Sequence, residues 1–309
     1  MKNKMVEIPV SGLFSMEECL WFLSRDFDDC MYKVYEDRVR RGFKSSSGIM
    51  VVDIYLMPDE LVLEWLNVLP SAQDIKAVVE FVSDWLDLNT DLTLFYKILA
   101  TDKRISYMAK EYSGLRFIGM PDFFEALTWC IIGQQINLSF AYKIKRRLVE
   151  QYGEFTFYDG QKYYVFPTAE RLAHANISDL RSLQFSEKKA QYLITIAQAF
   201  SNGTLSKELL QGLPDLENRI KFLTGIRGIG RWTANYALMK SLKEPTCIPY
   251  GDAGLLNALV NHKIIKTKDD KVAIERFLKS FAGWESYLVF YLWRTLSQPK
   301  FRSNQLRPS

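Results

Sequence analysis

One carboxylate follows a glycine-rich turn at a short distance in the last third of the chain. Gly228, Ile229 and Gly230 separate two helical patterns, and Asp252 stands 22 residues beyond Gly230. Glycine adopts a positive φ without steric cost, so the turn can expose backbone N–H groups. Such amides, at the start of the helix that begins at Arg231, can hold a phosphate oxygen. The pattern predicts a segment that grips a nucleic-acid backbone and presents an acid to it.

The string from Leu223 to Ala234, with glycines at 225, 228 and 230, resembles the helix-hairpin-helix of the DNA glycosylase superfamily. Members of that superfamily carry an aspartate soon after the hairpin, and Asp252 matches it. The resemblance therefore implies duplex DNA as the partner. It assigns the hairpin contacts with DNA to Gly228, Ile229, Gly230, Arg231 and Thr233.

Trp232 separates two chemistries within that superfamily. The bifunctional lyases resemble one another in having a lysine at this position, which forms a Schiff base with the sugar. An indole cannot do this, so the sequence predicts base removal only, with water as the nucleophile. Residues 228–236 are close to the 3-methyladenine DNA glycosylase II family, the AlkA-like branch. Segments 117–136 and 283–287 resemble the same branch, and the resemblance spans about residues 92–298.

Asp252 is the catalytic residue that the resemblance implies. An alkylated purine is cationic, so its glycosidic bond is already weakened and little acid catalysis is needed. One carboxylate near the sugar can stabilise the oxocarbenium-like charge or orient the attacking water. The residues alone also allow a simpler role, because an aspartate before Ala253-Gly254-Leu255 can cap a helix. One residue can do both.

Aromatic side chains are the expected walls of the base pocket. Trp232 and Tyr236 are four residues apart and share a helix face. The resemblance places Trp284 across the cleft and, through a weaker N-terminal match, adds Phe22. Stacking of a cationic base on such rings contributes on the order of 0.5–2 kcal/mol per contact, although aromatics at helical spacing also suit a core. No Lys or His neighbours these residues in the sequence, so a cationic base should meet no repulsion.

The turn at Gln134, Gln135 and Ile136 is where the family inserts a wedge into the duplex as the damaged nucleotide rotates out. Related enzymes often carry an apolar residue where Gln135 falls, which leaves open whether Gln135 or Ile136 inserts. Superfamily members also bind a monovalent cation through hairpin carbonyls. These map to Thr224, Ile226 and Ile229, and the sequence neither supports nor excludes Na⁺ or K⁺ there.

Composition and cysteine spacing exclude several other classes. With 309 residues, 48% apolar and 25% charged, the chain is typical of a globular protein. It shows no apolar run long enough for a membrane span and no signal-peptide core, so we expect a cytoplasmic monomer. Its four cysteines are widely spaced, and none follows residue 252. This excludes the iron–sulfur loop of endonuclease III-like relatives, and no cofactor is required.

Positive charge is concentrated toward the C-terminus. Residues 1–120 carry 14 Lys and Arg against 19 Asp and Glu, a balance of −5, whereas residues 221–309 carry 15 against 6, a balance of +9. Residues 121–220 are balanced at 11 against 11. Because the surplus coincides with the hairpin, it favours a DNA-facing C-terminal half.

Hydrophobic periodicity predicts an α+β fold. Segments near 31–39, 48–56 and 61–66 suit an antiparallel sheet, and a helix should follow from Ile75 to Leu86, capped by Ser71 or Asp74. From there the chain is predicted to be mostly helical, interrupted by glycines and prolines such as Gly153, Gly160 and Pro167. With the resemblance, the expected fold is a mostly helical helix-hairpin-helix glycosylase core with an N-terminal antiparallel, TBP-like sheet. The expected domains are 1–90, a helical domain from 91–118 plus 250–309, and the hairpin domain 119–249.

Three functions remain open at this point. The first is a monofunctional glycosylase for alkylated purines of the 3-methyladenine and 7-methylguanine type. The second is an enzyme of the same fold that removes oxidised or deaminated bases. The third is a damaged-DNA-binding protein without activity, in which Asp252 is only a helix cap.

Overall fold

The computed structural model describes residues 4–10, 12–25 and 29–296. Five antiparallel strands form a sheet in the N-terminal part, in the spatial order β1-β5-β4-β3-β2. Their bounds are β1 Met5–Pro9, β2 Tyr32–Val34, β3 Arg38–Ser45, β4 Gly48–Met57 and β5 Glu60–Trp65. The predicted strands near 31–39, 48–56 and 61–66 fall on β2 to β5, so the predicted sheet is confirmed, while β1 was not predicted.

A second, two-stranded sheet lies in a region that the periodicity assigned to helix. It consists of β6 Glu154–Tyr158 and β7 Gln161–Val165, joined at Asp159 and Gly160. Both joining residues have a positive φ, 48° and 69°, as a two-residue hairpin turn requires. This hairpin was not predicted, although alternating residues such as Phe155 and Phe157 share one strand face.

The remaining elements are helices. In chain order they are α1 Met16–Leu23, α2 Ala72–Trp85, α3 Thr93–Leu99, α4 Met108–Glu111, α5 Phe123–Gly133, α6 Leu138–Tyr152, α7 Ala169–Ala173, α8 Ile177–Ser182, α9 Glu187–Ser201, α10 Lys207–Gln211, α11 Leu216–Thr224, α12 Arg231–Ala237, a π-helical segment Leu238–Leu242, α13 Ala253–Asn261, α14 Lys271–Lys279 and α15 Glu285–Arg294. The predicted cap of α2 is confirmed. Ser71 accepts the Asp74 N–H and Asp74 accepts the Ser71 N–H, which forms a capping box.

The sheet and the helices share one apolar core that runs from α1 to α15. The two ends of the described chain are also tied by charge, because Arg294 on α15 donates to Glu18 on α1 at 2.6 Å and both are buried. The α+β class, with its N-terminal antiparallel sheet and helical core, is confirmed. The division into 1–90, 91–118 plus 250–309 and 119–249 stays a prediction, and its ends at 1–3 and 297–309 lie outside the described residues.

In the described part of the chain no helix is both long and apolar enough to cross a membrane. Nor do the described His, Cys, Asp and Glu residues gather in any group of three or more that could hold a metal ion. All four cysteines are buried free thiols.

Candidate active site and DNA-facing hairpin

The hairpin is the turn at residues 225–230 between α11 and α12. Gly228 has a φ of +95°, and a Cβ there would overlap the ring of Tyr192, so no other residue fits. Gly230 differs from the expectation, because it is the N-cap of α12 with a φ of −88°. Ile229 is buried, and its N–H donates to the Ile226 carbonyl at 3.0 Å. The free amides therefore belong to the first turn of α12, whose N-cap provides no side-chain hydrogen bond.

Side chains of the hairpin have separate tasks. Arg231 is exposed and pairs with Glu217 at 3.1 Å. Thr233 is buried, and its hydroxyl accepts from Gln134 at 3.2 Å, so its side chain packs inside the hairpin, and its contact with DNA stays a prediction. The amide of Gln134 also donates to the Gly228 carbonyl at 3.0 Å. The 133–136 turn and the hairpin are thus one unit.

The two wedge candidates take different positions in that unit. Gln135 is exposed and has a φ of 56°. Ile136 is half-buried and lines the neighbouring cleft. The binding of a monovalent cation by the carbonyls of Thr224, Ile226 and Ile229 stays a prediction.

A cleft of about 620 Å³ opens beside this unit, a size typical of ligand pockets. The structure brings four of the five predicted catalytic and pocket residues to its wall and adds others that the sequence did not single out. The lining residues discussed below are Phe22, Arg41, Glu125, Lys145, Trp232, Tyr236, Lys240, Asp252, Gly254 and Trp293.

Asp252 is the N-cap of α13, and the same carboxylate faces the cleft. Its Oδ1 accepts the Leu255 N–H at 2.8 Å and the indole N–H of Trp293 at 2.9 Å. Its Oδ2 has no hydrogen-bond partner within the described ranges of the chain. The sequence left two roles open for Asp252, a helix cap and a catalytic charge. Oδ1 forms the cap, and the unbonded Oδ2 is available for the second role.

Three rings form a continuous aromatic wall next to Asp252. Trp232 and Tyr236 lie 5.3 Å apart between ring centroids, and Tyr236 and Trp293 lie 5.8 Å apart. Their planes are inclined by 37° and 34°, which leaves faces on which a planar base can stack. Trp293 was missed in the sequence. Phe22 approaches from α1, where its ring contacts Phe290 at 4.8 Å and carries the Arg25 guanidinium at 3.7 Å.

Trp284 is a correction, because it does not line this cleft. Its ring packs on Phe95 at 5.6 Å and on Tyr287 at 5.8 Å, beside a separate cavity of about 250 Å³. The reason is helical geometry. Trp284 precedes α15 and Trp293 stands near its end, so about 2.5 turns separate them and they point to opposite sides. The helix turns Trp293, not Trp284, toward Asp252.

Lys240 corrects the expectation that no lysine neighbours the aromatic wall. It follows Tyr236 by one helical turn, is 3% exposed, and donates to the Ile118 carbonyl. The rings of Phe22, Phe117 and Phe290 lie 4.9–5.2 Å from its Nζ. Burial lowers the pKa of Lys240 to about 7, and the charge of Arg25 acts in the same direction.

The wall on the sheet side is a buried ion cluster. Lys145 donates to Glu125 at 2.9 Å and to Asp29 at 3.0 Å, and Arg41 lies 3.7 Å from Glu125. Burial disfavours the charged form of Lys145, but the two carboxylates more than offset this and raise its pKa. Lys145 is therefore a fixed cation, whereas the pKa of Lys240 lies near pH 7 and its charge depends on pH.

The comparisons with known proteins all match DNA glycosylases or base excision DNA repair proteins. A family model described as "HhH-GPD superfamily base excision DNA repair protein" matches residues 128–282, and one for the N-terminal domain of 8-oxoguanine DNA glycosylase matches residues 10–127. A DNA-3-methyladenine glycosylase of Bacillus subtilis is 35% identical over 297 residues, which cover 95% of this chain and 98% of the relative.

Two solved structures share the fold. The 3-methyladenine DNA-glycosylase from Archaeoglobus fulgidus has a TM-score of 0.80 at 23% identity, covering 94% of this chain and 97% of the other. The Clostridium acetobutylicum 8-oxoguanine glycosylase/lyase, solved with double-stranded DNA, has a TM-score of 0.65 at 20% identity, covering 88% and 99%.

Proposed function

The chain belongs to the HhH-GPD superfamily of base excision DNA repair proteins, and from that premise we propose that it is a DNA-3-methyladenine glycosylase that removes alkylated purines from duplex DNA. The observation that carries the proposal is the convergence of Asp252 with Trp232, Tyr236 and Trp293 in one cleft beside the hairpin. A charge next to an aromatic wall suits a reaction in which a flat cationic base leaves a sugar that becomes positive.

Asp252 acts on the sugar. As the neutral base departs, positive charge develops on the deoxyribose, and the unbonded Oδ2 supplies a fixed negative charge where it develops. The same oxygen can hold the water that attacks the sugar on the face opposite the departing base. Trp232 and Tyr236 hold the base by stacking, which favours an electron-poor alkylated purine over an ordinary one.

The reaction stops at the abasic site. Trp232 occupies the position where lyases carry a nucleophilic lysine, and two lysines, Lys145 and Lys240, line the cleft in the described part of the chain. Lys145 is held as a cation between Asp29 and Glu125, and Lys240 is tied to the Ile118 carbonyl beneath three rings. A Schiff base needs an amine that is both neutral and free to reach the sugar. Lys145 is held charged and Lys240 is held away by the Ile118 carbonyl, so both contacts support a monofunctional enzyme.

Gln135 is the wedge. Its exposed position and positive φ at the tip of the turn support insertion into the duplex, and its amide can hydrogen-bond the base left without a partner. Ile136 stays on the cleft wall. The enzyme works as a monomer on duplex DNA with alkylated bases, and Na⁺ or K⁺ bound by the carbonyls of Thr224, Ile226 and Ile229 would steady the hairpin without taking part in the chemistry.

The test is release of free bases from methylated duplex DNA by the purified protein. We expect 3-methyladenine and 7-methylguanine to be released, with strands that break only after alkali and no covalent adduct trapped by borohydride. Asp252→Asn should slow release by about 100- to 1,000-fold and leave binding to damaged DNA intact. A duplex with 8-oxoguanine, run in parallel, tests the oxidised-base alternative that the match at residues 10–127 raises.

A second aspartate gives the matched control. Asp270 caps α14 by accepting the Ala273 N–H at 3.0 Å, as Asp252 caps α13. If Asp252 were only a cap, Asp252→Asn and Asp270→Asn would behave alike. Equal release by the two variants would contradict the catalytic role, and trapping of the wild type by borohydride would contradict the monofunctional one.

A further inference from the structure

The carboxylate of Asp252 is held more firmly than its cap requires. Capping α13 needs one hydrogen bond, from the Leu255 N–H to Oδ1 at 2.8 Å. The same Oδ1 accepts a second bond, from Nε1 of Trp293 at 2.9 Å. Because Trp293 is on α15, this bond connects the carboxylate to a different helix. Both hydrogen bonds go to Oδ1, so Oδ2 keeps no partner among the described residues.

Gly254 leaves room for this contact because it has no side chain. A Cβ at Gly254 would lie 3.1 Å from Oδ1 of Asp252 and 3.2 Å from both Cδ1 and Nε1 of Trp293. Gly254 has no positive φ, so its lack of a side chain is explained by this close approach and not by backbone conformation. A helix otherwise favours alanine over glycine by about 1 kcal/mol.

The indole is fixed from its other face as well. The ring of Trp293 packs on Tyr236 at 5.8 Å, and Tyr236 packs on Trp232 at 5.3 Å. The orientation of the carboxylate is thus linked through one ring to the wall on which the base stacks. A displaced base would disturb the same ring that holds the charge.

We propose that Trp293 is a positioning residue for base removal, whose indole N–H fixes Oδ1 of Asp252 so that Oδ2 meets the developing charge on the sugar. This rests on the proposed function, because it presumes that Asp252 acts on the sugar. A donor to the carboxylate stabilises its charged form, and a small displacement of a catalytic group costs much of the rate. Trp293 touches the carboxylate and not the sugar.

The test separates the hydrogen bond from the ring. Trp293→Phe keeps an aromatic ring beside Tyr236 and removes the N–H. We expect single-turnover release of 7-methylguanine to fall about 10- to 100-fold while binding to the damaged duplex changes less than about twofold. The difference between a lower rate and a retained affinity is the deciding measurement, because a merely structural role would lower both together.

Gly254→Ala reaches the same bond from the other side. It leaves the indole intact and pushes its edge from Oδ1, so we expect the rate to fall while binding to the damaged duplex is retained. Trp284→Phe is the matched control, since Trp284 flanks the same helix outside the cleft and should keep the wild-type rate. If Trp293→Phe does not fold, as judged by circular dichroism, Gly254→Ala decides.

Two failures are distinguishable. A wild-type rate in Trp293→Phe or in folded Gly254→Ala, beside an inactive Asp252→Asn, would overturn the positioning role alone. Full activity of Asp252→Asn would instead overturn the catalytic role on which the proposal rests. Equal losses of rate and of damaged-DNA affinity in Trp293→Phe would assign the indole to the stacking wall.

Discussion

At the scale of single residues, Asp252 and Lys240, two ionisable side chains that line the cleft, differ in their surroundings. Among the described residues, Asp252 lines the cleft with an Oδ2 that has no hydrogen-bond partner. Lys240 is instead enclosed by three rings and has no carboxylate within ion-pair distance in the same part of the chain. An ammonium without a counter-ion is costly to bury, so the lysine gives up its proton near neutrality. Because the Lys240 amine loses its charge near neutral pH, it repels a cationic base in the cleft only weakly.

Lys240 makes stability depend on pH in a defined direction. Its pKa is about 7 in the folded protein and 10.5 as a free side chain, so between these values the unfolded chain binds more protons and stability rises with pH. From pH 6.5 to 8.5 we expect the wild type to gain about 2 kcal/mol relative to Lys240→Met. Urea unfolding at several pH values measures this, with exposed Lys143→Met as control.

The range stops at pH 8.5 for a reason. Burial raises the pKa of the Cys19 and Cys247 thiols to about 12, so above pH 9 the unfolded chain loses protons that the folded one keeps, and stability falls. Parallel slopes for Lys240→Met and the wild type below pH 8.5 would contradict a near-neutral Lys240.

At the scale of elements, the sequence predicted those features that are determined by residues close together in the chain. The capping box of α2 and the strands β2 to β5 follow from caps, alternation and turns. The hairpin β6-β7 was missed although Asp159-Gly160 between alternating aromatics is a strong turn signal. Trp293 and Lys240 could not be assigned to the cleft, because their role depends on which side of α15 and of the π-helical segment meets another helix.

The hairpin is stabilised by a residue from another element, and this gives a prediction at the same scale. Gln134 follows α5 and donates to the Gly228 carbonyl and the Thr233 hydroxyl. Gln134→Ala removes both bonds, worth about 1 kcal/mol each, and loosens the turn that binds phosphate. We expect about fivefold weaker binding to undamaged duplex DNA, measured by fluorescence anisotropy.

The control is Gln151→Ala, an exposed glutamine at the end of α6, which should bind DNA like the wild type. Wild-type affinity in Gln134→Ala would mean that the hairpin keeps its shape without the amide. Salt dependence should stay the same in both, because neither change removes a phosphate contact made by charge.

At the scale of the whole molecule, the cleft is closed on the sheet side by charges from separate parts of the chain. Lys145 comes from α6, Glu125 from α5 and Asp29 from the segment before β2, while Arg41 reaches Glu125 from β3. Four side chains at 2–8% exposure carry two charges of each sign. The sheet and the helical core therefore meet through a balanced ion cluster as well as through apolar packing.

Removing one cation should unbalance this junction. Lys145→Met keeps the aliphatic stem and leaves Glu125 and Asp29 buried without the ammonium that pairs with both, while Arg41 stays 3.7 Å from Glu125. Breaking a buried pair in this way costs about 3–5 kcal/mol, so we expect the free energy of unfolding to fall by that amount at pH 8. Lys143→Met, two residues earlier on the exposed side of α6, should change it by less than about 0.5 kcal/mol. A loss in Lys145→Met no larger than that in Lys143→Met would contradict the role of the ion cluster at this junction.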